Sequence, residues 1–195
     1  MRCLLKVLFF VVLVFGALSN LFAEDFSADM VSSTTSGNFN GKIFASQDKV
    51  RMEAAGSVII ARMDKQVTWI LMPDRKVYME QPLRPTDMVA TGGKVPGETS
   101  REFLGDETVG GKLTKKYKIG YNVNGKDGSV LAWIMANSEV PVKMQATDGS
   151  WSMEYNNLII GAQPDSLFQV PADYQKLSVD LPSVPSGVNP QDIGD

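Results

Sequence analysis

"KYKIGYNVNGKDGSVLAWIMA", residues 116–136, decides the fold. Tyr117, Ile119, Tyr121 and Val123 alternate with Lys116, Lys118 and Asn122. A period of two is the signature of a half-buried strand, because successive side chains leave a pleated backbone on opposite faces. Asn124-Gly125 and Asp127-Gly128 then supply residues that accept positive φ, as a tight turn requires. The return strand is expected to carry its apolar face on Leu131, Trp133 and Met135.

The same grammar extends outward in both directions. In "VPVKMQATDGSWSMEYNNLII", residues 140–160, Val142, Met144 and Ala146 lead into a turn at Asp148-Gly149, and Trp151, Met153 and Tyr155 leave it. Gly110-Gly111 and Asp64-Lys65 read as two further turns. "NGKIFASQDKVRMEAAGSVIIARM", residues 40–63, reads as three strands, with Val50, Met52 and Ala54 opposing Lys49, Arg51 and Glu53. Short connections make sequence neighbours into spatial neighbours. The expected fold is mainly β, a curved antiparallel meander with little helix.

Two stretches break the rhythm. Residues 82–100, "PLRPTDMVATGGKVPGETS", hold three prolines and cannot form a continuous strand. Thr86 or Asp87 is placed to cap a turn or two of helix ending near Gly92. A connection of this length is either a plain linker or a lid, and Met88 and Val89 are its apolar candidates for gating. Residues 182–195 are rich in Pro and Gly and are expected to form a disordered tail.

The first residues have the layout of a secretory signal. Arg2 and Lys6 precede an apolar run from Val7 to Leu18, with small residues following up to Ala23. The run is about a dozen residues, whereas a membrane-spanning helix needs roughly 20. Residues 1–23 are therefore expected to be a cleaved signal peptide, with a single domain over 24–181 in the periplasm. Cys3, the sole cysteine, would leave with the signal, so no disulfide is available and stability must come from the core. The chain carries 19 Lys and Arg against 22 Asp and Glu, and lacks the clustered basic stripe that phosphate neutralisation needs. Nucleic acid is excluded as a partner; oligomeric state is left open.

Chemistry is narrowed by what is missing. There is no histidine, so neither a Ser-His-Asp triad nor a His-ligated zinc site can be built. The carboxylates lie beside turns (Asp64, Asp74, Asp106, Asp127, Asp148) or on polar strand faces (Glu53, Glu154), which are ordinary solvated positions. No phosphate-cradling glycine loop occurs. The expectation is a protein that is not an enzyme and uses no metal or cofactor.

The positive feature is a set of soft apolar side chains on the expected strands: Met52, Trp69, Leu71, Met79, Trp133, Met135, Met144, Trp151 and Met153. Such residues build either the buried face every antiparallel sheet needs or the lining of an apolar ligand site. In "VTWILMPD", residues 67–74, Val67, Trp69 and Leu71 point one way while Ile70 and Met72 point the other. A strand apolar on both faces lies in the middle of something.

"KVRME" (49–53), "IIARMD" (59–64), "KVYME" (76–80), "FLGDETVGG" (103–111), "PVKM" (141–144) and "DSLFQVPADYQKL" (165–177) occur in an order and spacing that resembles LolA-type periplasmic carriers. The similarity is greater to an exported family allied to LolA. It runs from about Ala28 to Leu177. The resemblance implies an incomplete antiparallel barrel wrapped over helices, with an apolar cavity that holds acyl chains. Arg51 matches the strand arginine that helps hold the lid of those carriers; its other reading is a strand charge paired with Glu53 or a cross-strand neighbour. LolA-like carriers open with an amphipathic helix, whereas residues 24–41 here read as strand and loop. The functional expectation is a soluble carrier for a lipid or a lipid-modified protein, acting by burial without chemistry. The alternative is a structural or protein-interaction domain of the cell envelope.

Overall fold

The computed structural model describes residues 24–84 and 94–177. They form twelve strands: β1 Phe26–Thr34, β2 Gly37–Ser46, β3 Lys49–Ala54, β4 Ser57–Arg62, β5 Val67–Met72, β6 Val77–Pro82, β7 Glu98–Val109, β8 Lys112–Val123, β9 Lys126–Met135, β10 Pro141–Ala146, β11 Trp151–Ile160 and β12 Gln175–Lys176. Two 3-10 turns, Pro73–Arg75 and Asp165–Phe168, are the helical elements among the described residues. The proposed signal peptide, the tail and the gating residues Met88 and Val89 lie outside them.

All twelve strands belong to one sheet, ordered β12-β6-β5-β4-β3-β2-β1-β11-β10-β9-β8-β7. Every pairing is antiparallel except β12 on β6. The sheet is not closed, since β12 and β7 are its two free ends; it is an incomplete barrel. Short connections do make neighbours from β1 to β6 and from β7 to β11. The simple meander fails in the centre, however, where β1 pairs with β11. The two ends of the domain are thereby stitched together, and β6 and β7 lie toward opposite edges. The 82–100 stretch is the connection that leads from one edge region to the other.

Turn chemistry sets the register. Asn124 and Gly125 take φ of 54° and 76°, the paired positive angles of a two-residue type I′ turn. This puts Val123 opposite Lys126, and hence Ile119 opposite Val130 and Tyr117 opposite Ala132. The apolar face of β9 is therefore Val130, Ala132 and Ile134. The expected set, Leu131 and Trp133, is one residue out of phase, and a shift of one sends every side chain to the other face. Asp127-Gly128 is not a turn at all: it lies within β9, where the Tyr121 ring covers Gly128 so closely that a Cβ there would meet it at 2.4 Å.

Two apolar clusters share the core face. One gathers Phe26, Ala28, Met30, Ile43, Ala45, Val50, Ala61, Val140 and Tyr155; the other gathers Ile119, Val130, Ala132, Ile134 and Met144. Met153 packs against both. Leu83 reaches the first cluster and Val95 the second, so both described ends of the edge-to-edge connection are seated on this face. On the opposite, back face the segment 164–177 crosses β3 to β6. Its Phe168 is fully buried with Val58, Ile60 and Leu71, and Leu167, Val170 and Tyr174 pack beside it.

Candidate functional site

Register places the candidate side chains by face. On the core face one cross-strand row runs Ala28, Ile43, Met52, Ile59, Ile70, Met79 through six consecutive strands of the sheet. Its first two members are buried, whereas Met52, Ile59, Ile70 and Met79 are half-buried. A second row runs Met153, Met144, Ala132, Tyr117. Trp151 stands two residues from Met153 in β11, on the same face. Met52, Met79, Met144, Trp151 and Met153 therefore do share a surface. Met135, beside the register shift at Pro141, packs on the first cluster and also borders a cavity of about 490 Å³ with Arg101, Lys115, Tyr117 and Glu139.

Trp69, Leu71 and Trp133 are on the other side of the sheet, which corrects the expectation of one common face. Trp69 is opposite Ile60 and Glu80, and Leu71 is opposite Val58, so both belong to the back-face cluster. Trp133, 4% exposed, stands opposite Lys143 and Lys116. The two tryptophans are held alike. Trp133 donates its indole N–H to Glu107 at 2.8 Å, with the Lys116 and Lys143 ammoniums 4.7 and 5.2 Å from the ring centroid. Trp69 donates to Glu80 at 2.9 Å, with Lys65 at 5.4 Å and Arg62 at 5.8 Å from its centroid. Cations over the electron-rich ring face add attraction to the burial. The indole N–H and the Lys116 ammonium hold the Glu107 carboxyl below its ordinary value.

Arg51 also lies on the back face. Its Nε donates to Glu53 at 2.6 Å, and its Nη1 donates to the Leu167 carbonyl at 3.0 Å. Arg62, which the sequence reading passed over, donates to the Phe168 carbonyl at 2.9 Å and forks onto both carboxylate oxygens of Asp64. That fork raises the Arg62 pKa and lowers that of Asp64. Ion pairs Lys49–Asp165, Lys76–Asp173 and Lys176–Glu80, at 2.7, 2.8 and 2.7 Å, fasten the same segment along its length. Alternation within β4 would have shown that Arg62 shares a face with Ile60.

The core face holds one polar irregularity. Among the described residues, the Tyr155 hydroxyl is the buried side-chain polar atom without a hydrogen-bond partner. The ring sits opposite Met30 and tilts against Phe26, with centroids 5.7 Å apart. Burial pushes the phenol pKa well above its ordinary value. Among the described residues, no three His, Cys, Asp or Glu side chains come together as a metal site.

No protein-family model matches the chain, and no curated protein matches it. Solved structures do. The MucA/MucB complex of Pseudomonas aeruginosa aligns at TM-score 0.51 and 13% identity over 80% of this chain and 59% of that one. MucB in complex with MucA(peri) aligns at 0.50 and 14%, over 80% and 57%. The chain thus spans less than two thirds of MucB. A LolA superfamily protein from Nitrosomonas europaea aligns at 0.38 and 11%, over 75% and 90%. The fold is shared with MucB.

Proposed function

We propose that this chain is a periplasmic, non-enzymatic binding protein whose core face accepts the apolar chain of a lipid or of a lipid-modified protein. The observation that carries this reading is the row Met52, Ile59, Ile70, Met79. It continues outward from the packed core yet stays half-exposed, on strands with no α-helix laid over them among the described residues. Unbranched, polarizable methionines adapt to apolar guests of varied shape. Burial suffices as a mechanism: each methylene removed from water contributes about 0.8 kcal/mol, so an acyl chain is held with few polar contacts. Met144, Trp151 and Met153 extend the same lining. Met88 and Val89 stay as candidates for gating it, whereas Arg51, bonded to Glu53 and the Leu167 carbonyl on the back face, is on the wrong side of the sheet for that part.

The test is extraction of natively purified protein with organic solvent and mass spectrometry for lipid, followed by titration of a stripped sample with a fluorescent fatty-acyl probe. Stoichiometric lipid and saturable probe binding are expected. Met79→Asp, at the half-exposed end of the row, should stay folded and lose probe affinity at least tenfold. A wild type that carries no lipid and binds no probe would overturn the reading.

A second reading, a protein-interaction domain, is favoured by different observations. MucB is described in complex with MucA, and β7, the terminal strand of the sheet, exposes Phe103 at 54% and Leu104 at 46%. An open edge of this kind is a template for strand addition. Probe binding with an intact β7 variant, Phe103→Lys and Leu104→Lys together, separates the two: a lipid binder keeps its affinity.

A further inference from the structure

We infer that Tyr155 is the polar anchor of the ligand site, and that the ligand it selects presents an uncharged acceptor, an acyl ester or amide carbonyl, rather than a free carboxylate. This rests on the reading of the core face as a site for apolar chains.

The hydroxyl is buried and unpartnered among the described residues, in the middle of the cluster formed by Phe26, Ala28, Met30 and Ile43. A buried hydroxyl with no partner is destabilising, since its hydrogen bonds to water are lost and not replaced. Nothing in the packing calls for it: the ring alone makes the contact with Phe26 and lies opposite Met30. Phenylalanine would fill the same volume. A group that weakens the empty protein becomes useful when a guest brings the missing acceptor, because the hydrogen bond then forms in an apolar surrounding where it is strong. Unmatched buried polar groups are also how a site discriminates between ligands of similar bulk.

The chemistry around the phenol selects the acceptor. Burial alone acts on the phenol, with no charged neighbour contributing, and the half-buried apolar residues packed against its cluster are Met52, Met63, Leu83, Met135, Met153 and Leu158. A carboxylate seated there would be desolvated with no cation to offset it. A carbonyl joined to an acyl chain suffers no such penalty. The phenol, whose pKa burial raises, keeps its proton throughout the working pH range and so donates. Met30 and Met153, unbranched and flanking the ring, are the side chains able to turn aside for the guest.

The experiment compares stripped wild type and Tyr155→Phe, using urea unfolding and three pyrene probes of equal chain length: a fatty-acyl methyl ester, the free fatty acid, and the alkane. Tyr155→Phe should raise the urea midpoint of the empty protein. It should weaken the ester roughly five- to tenfold, the loss of one hydrogen bond to an acceptor, and leave the alkane unchanged. Wild type should bind the ester in preference to the acid. A lower urea midpoint in Tyr155→Phe would mean the hydroxyl already has a partner, and would overturn the inference. So would equal ester affinity in the two proteins, or a preference for the acid. In those cases alkane binding by wild type still upholds the lipid site itself. If wild type binds none of the three probes, the site and its anchor fall together.

Discussion

The Arg62 guanidinium of β4 donates to the Phe168 carbonyl at 2.9 Å, locking the segment that crosses the back face onto the middle of the sheet. The same guanidinium grips Asp64, so one nearly buried cation satisfies both a carboxylate and an orphan main-chain carbonyl. Replacing Arg62 with methionine should destabilise the fold by about 2–4 kcal/mol, since Asp64 and the carbonyl lose their donor together. Urea unfolding measures the loss, and limited proteolysis within 164–177 should accelerate more than elsewhere. Equal protection of that segment in both proteins would show that packing of Phe168 alone holds it.

Acid should release this strap. Asp165 and Asp173 are held below their ordinary pKa by Lys49 and Lys76, and Glu80 by Lys176. Depressed folded values mean that the unfolded chain takes up protons first. The stability these pairs contribute is complete above the ordinary carboxylate range, about pH 4, and is lost as pH falls through the lowered folded values. Thermal midpoints at pH 7, 4.5 and 3 should fall in the last interval. In Asp165→Asn with Asp173→Asn the fall should be shallower, and 0.5 M salt should reduce the difference between the two proteins.

Trp133 offers a test of faces. Truncation to alanine should destabilise by about 3–5 kcal/mol, the usual loss for a buried large aromatic. It should leave fatty-acyl probe affinity unaltered in the folded fraction, because the ring lies under Lys116 and Lys143 on the side away from Met153. Met153→Ala, by contrast, should weaken the probe. If Trp133→Ala abolishes binding while remaining folded, the site has been put on the wrong surface.

Gly125→Ala probes the register-setting turn. With φ at 76° and open space around the missing Cβ, the expense of the substitution is purely conformational, about 1–2 kcal/mol in chemical denaturation. Gly125→Asn, which tolerates the same angle, should recover most of it.

How legible these features were depends on which physical signal encoded them. Strand existence followed from period-two patterning, and the turns at 64–65, 110–111, 124–125 and 148–149 all fall between the strands they were expected to join. Phase was harder. In β9 the bulkiest residue, Trp133, drew the reading toward the wrong face, although counting back from a two-residue Asn124-Gly125 turn pairs Tyr117 with Ala132 directly. Two adjacent turn-like dipeptides competed, and one of them was a glycine under the Tyr121 ring. The same fault put Trp69 and Leu71 with Met79, where register pairs Met79 with Ile70. The strap escaped because its anchors are remote in sequence: nothing local to Arg51 or Arg62 announces a carbonyl more than a hundred residues away. Tyr155 read as an ordinary inward strand residue, since an unmatched hydroxyl is visible only once its neighbours are in place.

The pairing of β1 with β11 carries a kinetic consequence. The Ser32 hydroxyl reaches the Ser152 carbonyl across 120 positions of chain, and the first described strand is completed by the eleventh of the twelve. Loop closure on that scale is slow, and the millisecond-to-second range typical of non-local β topologies is the regime to look for. Until the final hairpin arrives, one border of the opening strand is bare and able to recruit a foreign segment. A nascent form of this protein is thus most vulnerable at its own midline, and holding the chain extended until synthesis ends would protect it there.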